Sequence, residues 1–452
     1  MAKRNNHPRR RAAGLAATAV TAGFVASASA GNFDWQINAG GAHSDNVTRV
    51  AENEVEEDIA NAGLRFSFDE QTRKTKTDLV GSFDYQKFLD DTYDDDLVGN
   101  FVGNLEIGFV PERFSWSFAD NFGQVLADPL LPATPLNSEN INFFATGPDL
   151  TFAFGSQNRL RLAGRYQLTD YEESPFDSTT TLGELGFARV LSSVNTLSLN
   201  ARFQQVDFDT DDFGSDYDQT DAFVRYEANG ARTSIRADVG YTELQRDVGE
   251  DSDGELLRLD AVRQISPSSR LSLLAGREFA NSGSAFAALQ GNGTINLDPT
   301  VGRATPEPFL RNHATLAWMF QRRATTLSLR YGYEDQDYEF VDALDQTFTT
   351  LGAFYRRDLS AATNVTLDAG RYQGEFRIGG AEYTDTSAGV ALNWGATRTI
   401  TLSLSYRYAD RDGDEITGDY TENRIWFSIS FGRGAPRAEV LQPEFAGENP
   451  PD

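Results

Sequence analysis

The sequence predicts an all-β chain folded as a closed antiparallel transmembrane β-barrel of about 20 strands, with 18 as the near alternative. Three observations predict it. Apolar and polar residues alternate with period two along the chain. Short turns recur about every 36 to 44 residues, with longer acidic segments between them. The composition suits strands rather than helices: of 452 residues, 32 are Phe, 16 Tyr and 39 Gly.

The elements follow in chain order. Lys3, Arg4, Arg9, Arg10 and Arg11 precede an Ala-rich apolar run from Ala12 to Val25, and Ala28-Ser29-Ala30 follows. A basic head, a short apolar stretch and a small-residue end predict a secretory signal peptide, residues 1–30, cleaved after Ala30. Its removal takes five basic residues and no acid, leaving 35 Lys+Arg against 67 Asp+Glu. The barrel is expected over residues 31–431, with segment 33–41 pairing with the last strand.

The alternation is clear at Leu97, Gly99, Phe101, Gly103, Leu105, Ile107 and Phe109, and again at Phe114, Trp116 and Phe118. Segments 178–190 and 384–394 read as weaker strands. Short connections fall near 69–74, 111–113, 155–158, 191–195, 229–232, 266–269, 321–324, 358–363 and 395–398. Acidic stretches separate them, as in Asp94-Asp95-Asp96 and Glu250-Asp251-Ser252-Asp253. A propeller blade would hold four short strands in such a period. Here the period holds two strands of roughly ten to fourteen residues, a length that suits a tilted strand crossing a bilayer.

Alternation then assigns faces: apolar to lipid, polar to a wet lumen. Strands after the short turns end their apolar face in an aromatic, such as Tyr166, Phe203, Tyr241, Tyr333 or Tyr408, where an interfacial girdle belongs. On the opposite face alternation places Arg161, Arg165, Arg202, Arg236, Arg330 and Arg407. Arg371, before Tyr372, is expected to join them. Two readings stand for these cations. They line a conduit for anionic groups, such as the carboxylates of a polysaccharide. Or they pair with inward acids such as Asp238, Glu184 and Glu106 and stiffen the wall.

Ile425, Phe427, Ile429 and Phe431 end the alternation and are the expected signal for the barrel-assembly machinery. Residues 432–452, rich in Pro and Gly, are expected to form a disordered periplasmic tail. Both termini then lie with the short turns in the periplasm, and the acidic loops face outward. The expected setting is a Gram-negative outer membrane, with lipid and lipopolysaccharide as partners. The mean hydropathy of −0.45 agrees with a barrel whose lumen and loops are wet.

Other functions fare poorly. No Cys means no disulfide, thiolate metal site or Cys nucleophile. A formal net charge of −27 argues against nucleic-acid binding. His43, in the first long loop, and His313, opening a strand, have no nucleophile motif beside them. No catalytic residue, cofactor or metal site is expected. Spacings such as Asp207, Asp209, Asp211 or Asp410, Asp412, Asp414 suit Ca²⁺, yet read better as solvated loops. Two long segments, 124–140 with its three prolines and 281–308, either fold inward to narrow the pore or lie as surface flaps.

The run Gly40-Gly41-Ala42-His43-Ser44-Asp45-Asn46-Val47-Thr48-Arg49 resembles the opening of the β-barrel porin 2 family. So does Phe83-Asp84-Tyr85-Gln86-Lys87-Phe88 followed by an acidic loop. That resemblance implies an outer-membrane barrel associated with exopolysaccharide gene clusters, with no catalytic residues to carry over. A general diffusion porin and a non-conducting structural or adhesive barrel remain the alternatives.

Overall fold

The computed structural model describes residues 31–209, 216–290, 304–338 and 340–433. The signal peptide and the tail beyond Arg433 lie outside the described residues. The strands are β1 (Asn32–Ser44), β2 (Glu57–Gln71), β3 (Thr75–Phe88), β4 (Asp96–Val110), β5 (Phe114–Leu126), β6 (Ser138–Phe154) and β7 (Asn158–Tyr171). They continue as β8 (Ser178–Val190), β9 (Asn195–Phe208), β10 (Tyr217–Asn229), β11 (Thr233–Arg246), β12 (Ser252–Ser266), β13 (Ser269–Ala280) and β14 (Phe309–Arg322). The last are β15 (Thr325–Asp337), β16 (Gln346–Asp358), β17 (Thr363–Phe376), β18 (Glu382–Gly395), β19 (Ile400–Gly413) and β20 (Tyr420–Arg433). A helix, α1 (Ser282–Gln290), stands in the connection between β13 and β14.

Each strand pairs antiparallel with its chain neighbours, and β1 pairs with β20 from Trp35↔Arg433 to Ser44↔Arg424. The 20-stranded sheet therefore closes on itself. Closure leaves no row of unpaired N–H and C=O groups, which lipid could not solvate. The strand count is the larger of the two expected, because both weak segments form full strands, β8 and β18. β20 also continues two residues past the expected end: Gly432 and Arg433 pair with Gln36 and Trp35.

The two faces differ as alternation requires. Leu197, Leu199 and Phe203 of β9 point outward, Leu199 being 62 % exposed, while Ser198 and Val206 on the opposite phase are buried. At the periplasmic rim Trp35 meets Phe431 edge-on at 5.7 Å, and Phe109 stacks on Phe114 at 5.2 Å. At the outer rim the tyrosines donate to polar groups just above: Tyr85 to Asp95, Tyr241 to Asp253, and Tyr406 to Asn423 Oδ1 at 2.6 Å. A ring in the apolar band with its hydroxyl in water is what an interfacial residue needs. Among the described residues no helix is long and apolar enough to cross a membrane; in this fold the strands make the crossing.

Two expectations change. Arg371 lies on the outer face, opposite outward Leu351, and Tyr372 is buried on the inner face. The reason is register: Leu367 and Ala369 take the outward phase of β17, so the Arg-then-aromatic order is inverted relative to its sister strands. His43 belongs to β1 rather than to a loop. It faces outward, with Nδ1 2.8 Å from Asp58 Oδ1.

Candidate functional site

The inner wall and its outer mouth form the candidate site. Arg161, Arg165, Arg202, Arg236, Arg330 and Arg407 all take the inward phase of their strands. Four are engaged by acids. Arg165 Nη2 donates to Asp149 Oδ2 at 2.7 Å, and Arg202 Nε to Asp221 Oδ2 at 2.7 Å. Arg236 Nε donates to Glu227 Oε1 at 3.1 Å, and Arg407 Nη2 to Asp368 Oδ2 at 3.1 Å. Among the described residues Arg161 and Arg330 make no ion pair. Pairing therefore dominates this set of cations. Of the acids expected as partners, Asp238 and Glu184 serve Arg225, and Glu106 lies 3.4 Å from Lys76.

The pairs join into a network on the inner wall from β8 to β15. Arg225 grips Asp238 with two hydrogen bonds, 2.8 and 2.9 Å. Arg258 donates to Glu278 at 2.6 Å and lies 3.6 Å from Asp238 and 3.8 Å from Asp221. Arg311 donates to Glu334 at 2.6 Å. Register makes this possible, because Arg202↔Asp221, Arg225↔Asp238 and Asp238↔Arg258 stand directly opposite on adjacent strands. Arg225, Arg258 and Arg311 escaped the sequence reading because it followed only the strands after short turns. Alternation marks Arg225 too, between outward Val224 and Tyr226.

Inward glycines widen the reach of such pairs. Gly389 separates Asp368 from Arg407, and Gly63 separates Asn38 from Asp84. A Cβ at either glycine would collide with the carboxylate that crosses it. Asn38 Nδ2 reaches Asp84 Oδ1 at 3.0 Å over that gap.

At the outer mouth, segment 124–140 and the described ends of segment 281–308 fold inward. Phe286 of α1 is only 4 % exposed and packs with Val125, Ile141, Phe143 and Tyr171 on the inner faces of β5, β6 and β7. Ala285, one residue earlier, packs with Phe309 and Tyr338 on the near wall. The connection 127–137 between β5 and β6 travels further, to the opposite wall. There Leu130 packs on Phe348, Tyr372, Phe376, Ala381 and Tyr383, from β16 to β18. Arg49 Nη1 donates to Ala133 O at 2.6 Å, and Arg411 Nη1 to Leu130 O at 3.4 Å. Segment 124–140 and the described part of 281–308 thus take the inward arrangement, not the surface flap.

Among the described residues no group of three or more His, Asp or Glu is placed to hold a metal ion. Asp414 instead accepts the N–H groups of Ile416 and Thr417 at 2.8 and 2.9 Å, and Asp410 accepts the Tyr408 and Thr421 hydroxyls. Asp211 lies outside the described residues. His313 faces inward beside Arg311 and Glu334, and its buried Nδ1 has no hydrogen-bond partner among the described residues.

No family profile and no curated protein matches the chain. Solved structures do. The siderophore receptor PirA from Pseudomonas aeruginosa aligns over 88 % of this chain and 80 % of its own, at 13 % identity and a TM-score of 0.42. Pseudomonas aeruginosa OccK2 in complex with glucuronate aligns over 89 % and 98 %, at 12 % identity and 0.36. OprD of the same organism aligns over 89 % and 95 %, at 10 % identity and 0.32.

Proposed function

We propose that this chain is an outer-membrane channel, a passive conduit associated with exopolysaccharide export. The observation that carries the reading is one closed wall with two chemistries: apolar and aromatic-girdled outside, polar and ion-paired inside. Such a wall makes sense between lipid and water. Barrels of 16 to 18 strands leave an aqueous channel, and 22-stranded ones hold a plugged lumen. A 20-stranded barrel has room for a hydrated chain once its mouth is clear. Arg161 and Arg330, without acid partners among the described residues, and the half-exposed Arg236 and Arg407 offer guanidinium groups to carboxylates of an anionic cargo. The resemblance of residues 40–49 to the β-barrel porin 2 opening supports the same reading. Ile425, Phe427, Ile429 and Phe431, all on the lipid face of the closing strand, would be what the assembly machinery reads.

Two experiments test this. Purified protein in a planar bilayer should conduct. Deleting the gene should lower secreted polysaccharide, and unchanged secretion would leave a diffusion porin for small solutes. The connection that crosses the mouth favours one other reading, a structural barrel that conducts nothing, and absent conductance in every variant would establish it.

A further inference from the structure

The connection 127–137 is tied to itself by the side chains of Asn137 and Asp128. It is a preformed unit. The Asn137 side chain accepts the N–H of Asp128 at 2.9 Å and donates to the carbonyls of Asp128, Leu131 and Pro132 at 2.8 to 3.2 Å. Asp128 Oδ1 caps the N–H of Leu130 at 3.0 Å. Pro129, Pro132 and Pro135 restrict the remaining backbone. A unit so tied to itself keeps its shape whether or not it is docked.

Its attachment to the far wall, by contrast, is thin among the described residues. One apolar side chain, Leu130, touches the aromatic cluster in which Phe348 stacks on Tyr372 at 5.5 Å and Phe376 on Tyr383 at 5.9 Å. Two carbonyls accept from Arg49 and Arg411, and the Thr134 side chain hydrogen-bonds that of Tyr93. Both guanidiniums are already held by acids. Arg49 Nε donates to Glu422 at 3.0 Å, and Arg411 grips Asp385 twice at 2.7 Å. The loop takes only the N–H groups that remain. Arg424 also leans on Glu422, so this corner holds three guanidiniums against two carboxylates. A neutral carbonyl is the weaker acceptor for such a donor; a carboxylate or other anion is roughly twice as strong.

We propose that residues 127–137 form a latch across the mouth, and that an anionic ligand opens it by taking the Arg49 and Arg411 donors from the carbonyls of Ala133 and Leu130. The proposal rests on the channel reading and adds the chemistry of opening to it. The cargo would then release its own gate, while a neutral chain would meet a closed one.

The absence of Cys allows a direct test. Leu130→Cys places a single thiol under the docked latch, and its maleimide labelling rate in outer-membrane vesicles reports release without any need for conductance. Polygalacturonate should speed labelling at least fivefold, and dextran of equal length should not. Arg49→Gln with Arg411→Gln should give fast labelling with no added ligand. Should those changes impair folding, Leu130→Asp, read by the labelling of Ala133→Cys, releases the latch from its own side. In bilayers, Leu130→Asp should raise open probability several-fold. Labelling that ignores polygalacturonate, or responds equally to dextran, overturns the proposal. Faster labelling with polygalacturonate but no conductance in any variant keeps the latch and overturns the channel.

Discussion

At the residue scale, burial and partners separate side chains that look alike in the sequence. Asp221 is 1 % exposed and takes bonds from Arg202, Thr242 and Gln219. Arg202→Gln should therefore cost on the order of 3 kcal/mol, because it leaves a buried carboxylate short of its main partner. Urea unfolding in detergent measures this. Arg161→Gln with Arg330→Gln removes two cations without ion pairs, so stability should hold while the bilayer reversal potential shifts toward cations. Asp120 poses the opposite case. It interrupts the outward face of β5 between Phe118 and Phe122, with Asn142 beside it and Oδ1 unpartnered among the described residues. Asp120→Leu should stabilise the barrel by about 1 kcal/mol, since an underpartnered carboxyl on a lipid face carries a cost.

At the element scale, loops titrate and dock on their own terms. The N–H of Thr417 above all, helped by that of Ile416, holds the Asp414 carboxyl below its ordinary range. A lowered value means that the carboxylate form stabilises the fold. Its contribution is complete above the usual carboxylate pKa of about 4 and fades as pH falls through the lower folded value. Hydrogen exchange at Ile416 and Thr417 should accelerate only in that acidic range, and Asp414→Asn should blunt the change. Phe286→Ala should loosen α1 from β6 by about 3 kcal/mol, the usual cost of emptying a buried aromatic site. Proteolysis within 281–308 would report it.

At the scale of the whole molecule, closure and the lumen depend on pairings far apart in the chain. Ser44 Oγ donates to Glu422 at 2.6 Å across the seam between β1 and β20. The seam's aromatic pair, Trp35 and Phe431, faces lipid at the periplasmic rim. Phe431→Ala should reduce the yield of heat-modifiable, membrane-inserted barrel severalfold, with gel mobility as the readout.

Local pattern alone determined much of this protein. Period-two alternation is a property of neighbouring residues, so strand existence, strand faces and the inward phase of six arginines are legible without a fold. Turn chemistry is local too, and it set the spacing and the side of each connection. The phase inversion at Arg371 shows the limit: an Arg beside an aromatic reads the same in either phase, and only pairing with Leu351 fixes which one points to lipid. Partners were not legible, because an ion pair such as Arg407–Asp368 depends on the register of three strands and on Gly389 leaving a gap between them. The mouth lay furthest from view. Leu130 sits in a Pro-rich loop with no periodicity, and its contacts, Tyr383 and Arg411, lie more than 250 residues away in the chain. Only a closed barrel brings that wall opposite the loop, so the tertiary structure alone decided that the loop crosses the mouth.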